Sequence, residues 1–167
     1  TLKPLTFTGA ALPLLSPDGT KLVYLVETAT TPTKNGLWVV DLADPTFGLG
    51  QTKEPRQVSR TIWPTGTIPL TTWSPDSREI LVSMDSANYL IDSSRFTDAA
   101  NLTDVTARLP VIFSEWEETL TRKETQRLSL LPQTIQAIAT ASATNLYFSP
   151  DEKKLLYTTT TEVTIPG

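Results

Sequence analysis

The chain has 167 residues and a formal net charge of −4, with 39% hydrophobic and 19% charged residues. This length and composition are typical of one globular domain rather than of a disordered segment. The sequence contains neither His nor Cys, which excludes a Ser-His-Asp triad, a Cys nucleophile, a Cys/His zinc site and an internal disulfide. The acidic balance argues against a nucleic-acid surface, because such a surface needs clustered Lys and Arg.

The hydropathy of the chain predicts no membrane span and no signal peptide. No window approaches 18 apolar residues without charge, and the first residues show no basic segment followed by an apolar one. We therefore expect any membrane anchor to lie in a segment outside this chain.

The same short pattern occurs three times, at residues 14–24, 72–82 and 147–157. Each copy has a large apolar residue, Ser-Pro-Asp, three mostly polar residues and an apolar strand. Pro presets φ for the first central position of a type I turn, Asp accepts backbone N–H bonds, and Gly supplies a left-handed position. The pattern predicts a tight reversal between two strands, formed by Ser16, Pro17, Asp18 and Gly19, by Ser74, Pro75 and Asp76, and by Ser149, Pro150 and Asp151.

The three turn aspartates have two interpretations. They could be ligand or cation carboxylates, or they could cap their own turns, and the repeated spacing favours the second. Ser77 and Glu152 stand where Gly19 stands in the first copy. Those two turns must therefore tolerate a residue with a side chain or adopt another turn type.

Further strands are predicted after each turn. Residues 36–42 and 88–92 are apolar runs that end near Asp41 and Asp92, and residues 56–59 and 102–106 are shorter alternations suited to outer strands. Each of the first two copies therefore reads as four short antiparallel strands, which is the composition of one propeller blade.

Residues 107–142 read as a helical insert between the second and third copies. Ser114 followed by Glu117 predicts a capping box at a helix start, and Pro132 predicts a stop before a second short helix. We expect an α-helical hairpin. The neighbouring carboxylates of residues 115, 117 and 118 could serve a glycosidase, but acidic residues are also favoured at a helix N-terminus, which is the interpretation we prefer.

The four tryptophans are candidates for a binding surface. Trp73 aligns with the apolar residue before each turn, and Trp38 lies in an apolar strand, so both are predicted to be core. Trp63 lies in a Pro/Gly loop and is the best candidate for an exposed binding aromatic. Trp116 is predicted to anchor the insert helix, with a partner-binding role as the alternative.

The repeats resemble the WD-like, TolB-type β-propeller repeat. The motif that carries the resemblance is an apolar residue, Ser-Pro-Asp-Gly, an apolar strand and then the strand that ends in Asp41 or Asp92. A looser similarity links the arrangement to the propellers of bacterial PEGA-domain surface proteins. The spacings of 58 and 75 residues exceed the roughly 40–45 of a regular WD blade. The resemblance implies an all-β, partial β-propeller of about three four-stranded blades, the last incomplete, with blades one and two at residues 1–106, the insert at 107–142 and the start of blade three at 143–167.

The resemblance also implies a function. We expect a non-catalytic binding or scaffolding module of a bacterial surface or envelope protein, without cofactor or metal, which binds a protein partner or a small ligand. The remaining blades would come from the same polypeptide or from another copy. The alternatives are the gating propeller of a prolyl oligopeptidase-like peptidase and a TolB-like component of an envelope complex. The Cys-free, Thr-rich composition agrees with an extracytoplasmic location.

Overall fold

A computed structural model describes residues 9–27, 31–42, 54–63, 68–141, 143–148 and 154–159. The chain consists of two compact units, residues 1–116 and 117–167. The third turn motif, Ser149, Pro150 and Asp151, lies outside the described residues.

The first unit contains two antiparallel sheets. The first sheet is a meander of four strands, β1 (Ala10–Leu15), β2 (Lys21–Val26), β3 (Gly36–Asp41) and β4 (Arg56–Arg60). The second sheet has three strands, β5 (Leu70–Trp73), β6 (Glu79–Ser83) and β7 (Asn88–Asp92). The expectation of antiparallel hairpins built around the first two turn motifs is confirmed.

A third antiparallel pair belongs to the second unit. It joins β8 (Ala143–Phe148) to β9 (Leu155–Thr159). This pair repeats the register of β1 and β2, including an irregularity that sets two residues of the first strand against one of the second, between Ala11 and Leu14 and again between Thr144 and Tyr147. The fold is mostly β, and none of the sheets in the described part of the chain closes on itself.

Two α-helices follow the second sheet along the chain and precede the third. They are α1 (Leu109–Ser129) and α2 (Gln133–Ala141). Short 3₁₀ turns lie at Pro32–Lys34, Ala99–Asn101 and Thr106–Arg108. No helix among the described residues is long and apolar enough to cross a bilayer.

The prediction that the first helix starts at Ser114 is wrong. The helix begins five residues earlier, and Ser114 lies inside it. Two features explain the earlier start. The 3₁₀ turn ending at Arg108 leads directly into the helix, and Pro110 occupies the first helical turn, where its missing N–H costs nothing.

The prediction of an outer strand at residues 102–106 is also wrong. A single bridge, between Tyr89 and Asp104, takes its place. The side chains of Asp104 and Thr106 explain the difference, because their oxygens accept hydrogen bonds from the N–H of Asn88 at 3.2 and 3.1 Å. Side-chain acceptors thus take the Asn88 N–H, while the Val105 N–H still donates to the Asn88 carbonyl at 2.8 Å, so the segment forms a bridge rather than a strand.

The two sheets of the first unit share one core. Its buried residues come from β2, β3 and β4 on one side and from β5, β6 and β7 on the other; they include Val23, Leu25, Val39, Ile80 and Val82. The first sheet is buried on both faces, since Tyr24, Val26, Trp38 and Val40 form a second cluster on the opposite side. A sheet with two buried faces is an internal layer of a structure rather than a surface layer.

The two sheets pack head to tail, which means that one face of the first sheet contacts the opposite face of the second. With the spacing of 58 residues, Val23 of the first sheet corresponds to Leu81 of the second, and Leu22 corresponds to Ile80. Val23 of the first sheet lies in the core between the sheets. From the second sheet, the residue in that core is Ile80 and not Leu81, the counterpart of Val23. Corresponding faces therefore point the same way rather than toward each other, as in stacked repeats and unlike a symmetric sandwich.

Candidate functional site

Both described turn motifs form the same hydrogen-bond network. The Ser16 hydroxyl donates to Asp18 Oδ1 at 2.6 Å and accepts from the Lys21 N–H at 2.9 Å. In the second copy, the Ser74 hydroxyl donates to Asp76 Oδ1 at 2.6 Å and accepts from the Glu79 N–H at 2.9 Å. Pro17 and Pro75 lie inside these turns, between the serine and the aspartate. The aspartates cap their own turns, so their carboxylates are already used by the fold.

The third position after the serine is left-handed in both turns. Gly19 has φ of 71° and Ser77 has φ of 62°. The second turn therefore keeps the conformation of the first without a glycine, at the cost of about 1 kcal/mol or more for a residue that carries Cβ. The side chain of Ser77 makes a contact that glycine could not make, because its hydroxyl accepts a hydrogen bond from the Asp18 N–H at 3.3 Å. That bond joins the turn of the first sheet to the turn of the second.

The environment of Asp18 changes its acidity. Partial burial acts to raise its pKa, but the hydrogen bonds from Ser16, Thr20 and Ser77 outweigh it and lower the pKa from 3.8 to about 2. A carboxylate with a depressed pKa stabilises the fold above the pKa of the unfolded state and loses that contribution as the pH falls.

We expect Asp18→Asn to lower the free energy of unfolding by about 1 kcal/mol at pH 6, a modest value because the side chain is exposed. Since the contribution is lost between about pH 4 and pH 2, the gap between wild type and variant should narrow at pH 2.5. Urea unfolding at the two pH values measures this. The exposed Asp85→Asn is the control for the change in charge, and a gap that widens in acid would contradict the assignment.

A charged cleft of about 510 Å³ lies beside these turns. Asp76, Glu79 and Asp92 line it together with Lys21 and Arg78. The Lys21 ammonium is engaged, since it donates to the Ser77 carbonyl at 2.8 Å and to the Ser93 hydroxyl at 3.2 Å. Lys21 thus joins the two sheets, and the cleft is left with charges of both signs and no single ligand chemistry.

Among the three carboxylates that line this cleft, Glu79 is the one whose surroundings disfavour the charged form. Burial raises its pKa, and the nearby charges of Asp76, Asp92 and Glu115 raise it further. Among the residues that the structure describes, no three acidic side chains lie close enough together to hold a metal ion. The arrangement of these acids does not indicate a cation site.

An apolar groove of about 340 Å³ lies between β1 and β5, which are edge strands of the two sheets in the described part of the chain. Leu12, Pro13 and Leu14 form one wall, and Ile68, Pro69 and Leu70 form the other, with Thr71 as the polar member. Leu12, Ile68 and Leu70 are 43%, 72% and 69% exposed. Large apolar side chains gathered in a concave surface are typical of a binding site rather than of ordinary surface.

The backbone at this groove is unsuited to strand addition. Leu12 has φ of 52°, in the left-handed region that leucine rarely adopts, and it lies at the irregularity in β1. Pro13 and Pro69 lack the N–H that a new strand would need, and a bulge or proline at a sheet edge commonly prevents such pairing. A ligand in the groove would therefore contact side chains rather than extend a sheet.

The structure corrects the prediction for Trp63. Its side chain is only 5% exposed and belongs to the core between the two sheets. The Pro/Gly composition of its loop indicated exposure, but a large indole gains more free energy from burial than from contact with water. Trp63 is a core residue and offers no binding surface.

Trp116 is partly buried. It packs against the cluster of Leu81, Val105 and Ile112, and its ring meets Phe113 edge to face, with centroids 5.8 Å apart. This contact fits the predicted anchoring of the helix, while a partner-binding role for Trp116 stays a prediction.

The groove residues were not among the sequence candidates. A signal was present, because an apolar-Pro-Leu triplet precedes each of the first two turns, at 12–14 and 68–70. The two triplets form a groove only because two sheet edges, more than 50 residues apart in the chain, lie side by side. The sequence alone could not show this.

No protein-family model matches the chain, and no curated protein matches it significantly. The site is therefore interpreted from its own chemistry.

Proposed function

We propose that the chain is a non-catalytic binding module of the propeller type, belonging to a bacterial surface or envelope protein. The observation that carries the binding role is the apolar groove between β1 and β5. The head-to-tail stacking of the two sheets and the shared register of β1–β2 and β8–β9 support the propeller architecture. The surface location rests on the resemblance of the repeats and on the Cys-free composition.

The lining of the groove defines the chemistry of its ligand. Among the described residues that line the groove, none is charged, and Thr71 is the one polar residue. A charged ligand group would lose water there without gaining a partner, which is unfavourable. We therefore propose that the groove binds an uncharged, apolar segment of a partner protein.

We expect Leu70→Asp to weaken this binding by at least about tenfold, because the substitution places a charge in the groove wall, and that charge would lose its water when a peptide binds. A library of ten-residue peptides displayed on phage, panned against the folded chain, tests the proposal. Wild type should enrich uncharged peptides rich in Leu, Ile, Val and Pro, with at least about tenfold weaker binding to the Leu70→Asp variant.

Leu15→Asp is the matched control for the panning experiment. Leu15 is 53% exposed and lies on the same strand as Leu12, but it does not line the groove. It should leave peptide binding unchanged. The proposal fails if no peptide class is enriched or if the two aspartate variants bind the enriched peptides equally well.

A further inference from the structure

The first two turns of α1 cover the face of the second sheet that points away from the first sheet. Leu81 of β6 and Leu90 of β7 lie on this face, and they pack with Leu109, Ile112 and Trp116 of the helix. Leu81 is 2% exposed and Ile112 is 3% exposed. Leu81 and Ile112 are therefore buried as deeply as the core between the sheets, whereas Leu90, Leu109 and Trp116 are partly buried.

This covered face corresponds to the one that the first sheet uses for stacking. Val23 of the first sheet contacts the second sheet, and its counterpart Leu81 contacts the helix. A further sheet of the same repeat would have to displace the helix in order to pack there. The helix thus occupies the position of a stacking partner.

The helix is matched to this face less well than the second sheet is matched to the first. Among the described residues, the cluster under the helix has three buried members, Leu81, Val105 and Ile112, whereas the cluster between the sheets has ten. At the rim, Lys21 of the first sheet donates to Ser77 and Ser93 of its neighbour. The counterpart of Lys21 is Glu79, which faces the like charge of Glu115 on the helix.

We infer that residues 109–116 form a detachable cap over the stacking face of the second sheet. The cap opens while the two-sheet core stays folded, because it is held by a smaller apolar cluster. Segments with few buried contacts open locally at a lower free energy than global unfolding requires. This inference rests on the stacking order of the proposed fold and is independent of the groove.

The absence of native cysteines allows a direct test in the full chain. Leu81→Cys places a thiol under the helix. Ile80→Cys, at the preceding residue of the same strand, places a thiol between the two sheets. Both positions are buried, at 2% and 0% exposure. The rate of reaction with an aromatic disulfide reagent, measured without denaturant, reports how often each face opens.

We expect the thiol at position 81 to react at least about 100-fold faster than the thiol at position 80, because opening the cap exposes only the first of them. Adding Ile112→Asp should accelerate labelling at position 81 further and leave position 80 unchanged. Val111→Asp is the control on the exposed side of the same helical turn, at 54% exposure, and should change neither rate.

Equal labelling rates at positions 80 and 81 in the otherwise wild-type chain would overturn the inference. The helix would then open only when the whole unit unfolds, and it would be part of a single core. This comparison does not need the Ile112→Asp variant to fold. A failure here would leave the peptide binding of the groove unaffected, so the two proposals are judged separately.

Discussion

Replacing Trp73 with alanine is expected to lower the free energy of unfolding by about 3–5 kcal/mol. The indole is 5% exposed and lies in the core between the two sheets. Its Nε1 donates a hydrogen bond to the Leu14 carbonyl, 3.1 Å away across the sheet boundary. The substitution leaves a large cavity where the sheets meet and removes a bond that joins them. Urea unfolding followed by far-UV circular dichroism measures the loss.

Trp73→Phe separates the two contributions. Phenylalanine keeps most of the apolar volume but cannot donate to Leu14, so we expect a loss of about 1–2 kcal/mol. If alanine and phenylalanine cost the same, the hydrogen bond would outweigh the packing. A loss below about 1 kcal/mol for alanine would contradict the shared core of the two sheets.

Gly36→Ala is expected to be as damaging as the loss of Trp73, for a different reason. Gly36 begins β3 with φ of 141°, a conformation that residues with Cβ rarely adopt. A Cβ at this position would lie 2.1 Å from the Ser59 carbonyl oxygen and 2.8 Å from Arg60 Cα, both backbone atoms of β4. The outer strand would have to move away and lose its pairing with β3. We expect a loss of about 3 kcal/mol or more, measured by the same unfolding experiment.

Gly19→Ala is the matched control for Gly36→Ala. Gly19 is also left-handed, with φ of 71°, but an added Cβ would meet no atom within 4 Å. The expected cost is therefore the conformational one alone, about 1 kcal/mol. Ser77, which holds the corresponding position with a similar φ, shows that this turn accepts a side chain. Equal losses at positions 19 and 36 would show that the close approach of β4 is not the cause.

Local structure was predicted well from the sequence because its causes are local. The reversals at Ser16–Gly19 and after Ser74 depend on Pro, Asp and a left-handed third position within four residues. The strands that follow depend on β-branched and apolar runs that pair across those short turns. The helical character of the insert likewise follows from spacing and from Pro132, which precedes α2.

The errors occurred where distant residues compete for the same groups. The Asp104 side-chain oxygen accepts a hydrogen bond from the Asn88 N–H, which the predicted outer strand would have bonded through its main chain. At Ser114, the capping-box pattern gave way to an earlier start, which the 3₁₀ turn and Pro110 favour locally and in which Leu109 and Ile112 pack with Leu81 of the second sheet. The side chain of Trp63 is buried in the core between the two sheets, although its loop is polar. In each case the contacts include a partner at least 15 residues away in the chain or on another element.

The sequence by itself determined the two turn networks, the hairpins around them and the presence of helices between the second and third Ser-Pro-Asp motifs. Only the tertiary structure decided which face of each sheet is covered, which edges form the apolar groove and that α1 occupies a stacking face. The physical reason is the range of the interactions involved. Turn conformation depends on φ preferences and hydrogen bonds over a few residues. Burial depends on which apolar surfaces meet after the chain has folded back on itself, and corresponding residues such as Val23 and Leu81 can then have different neighbours.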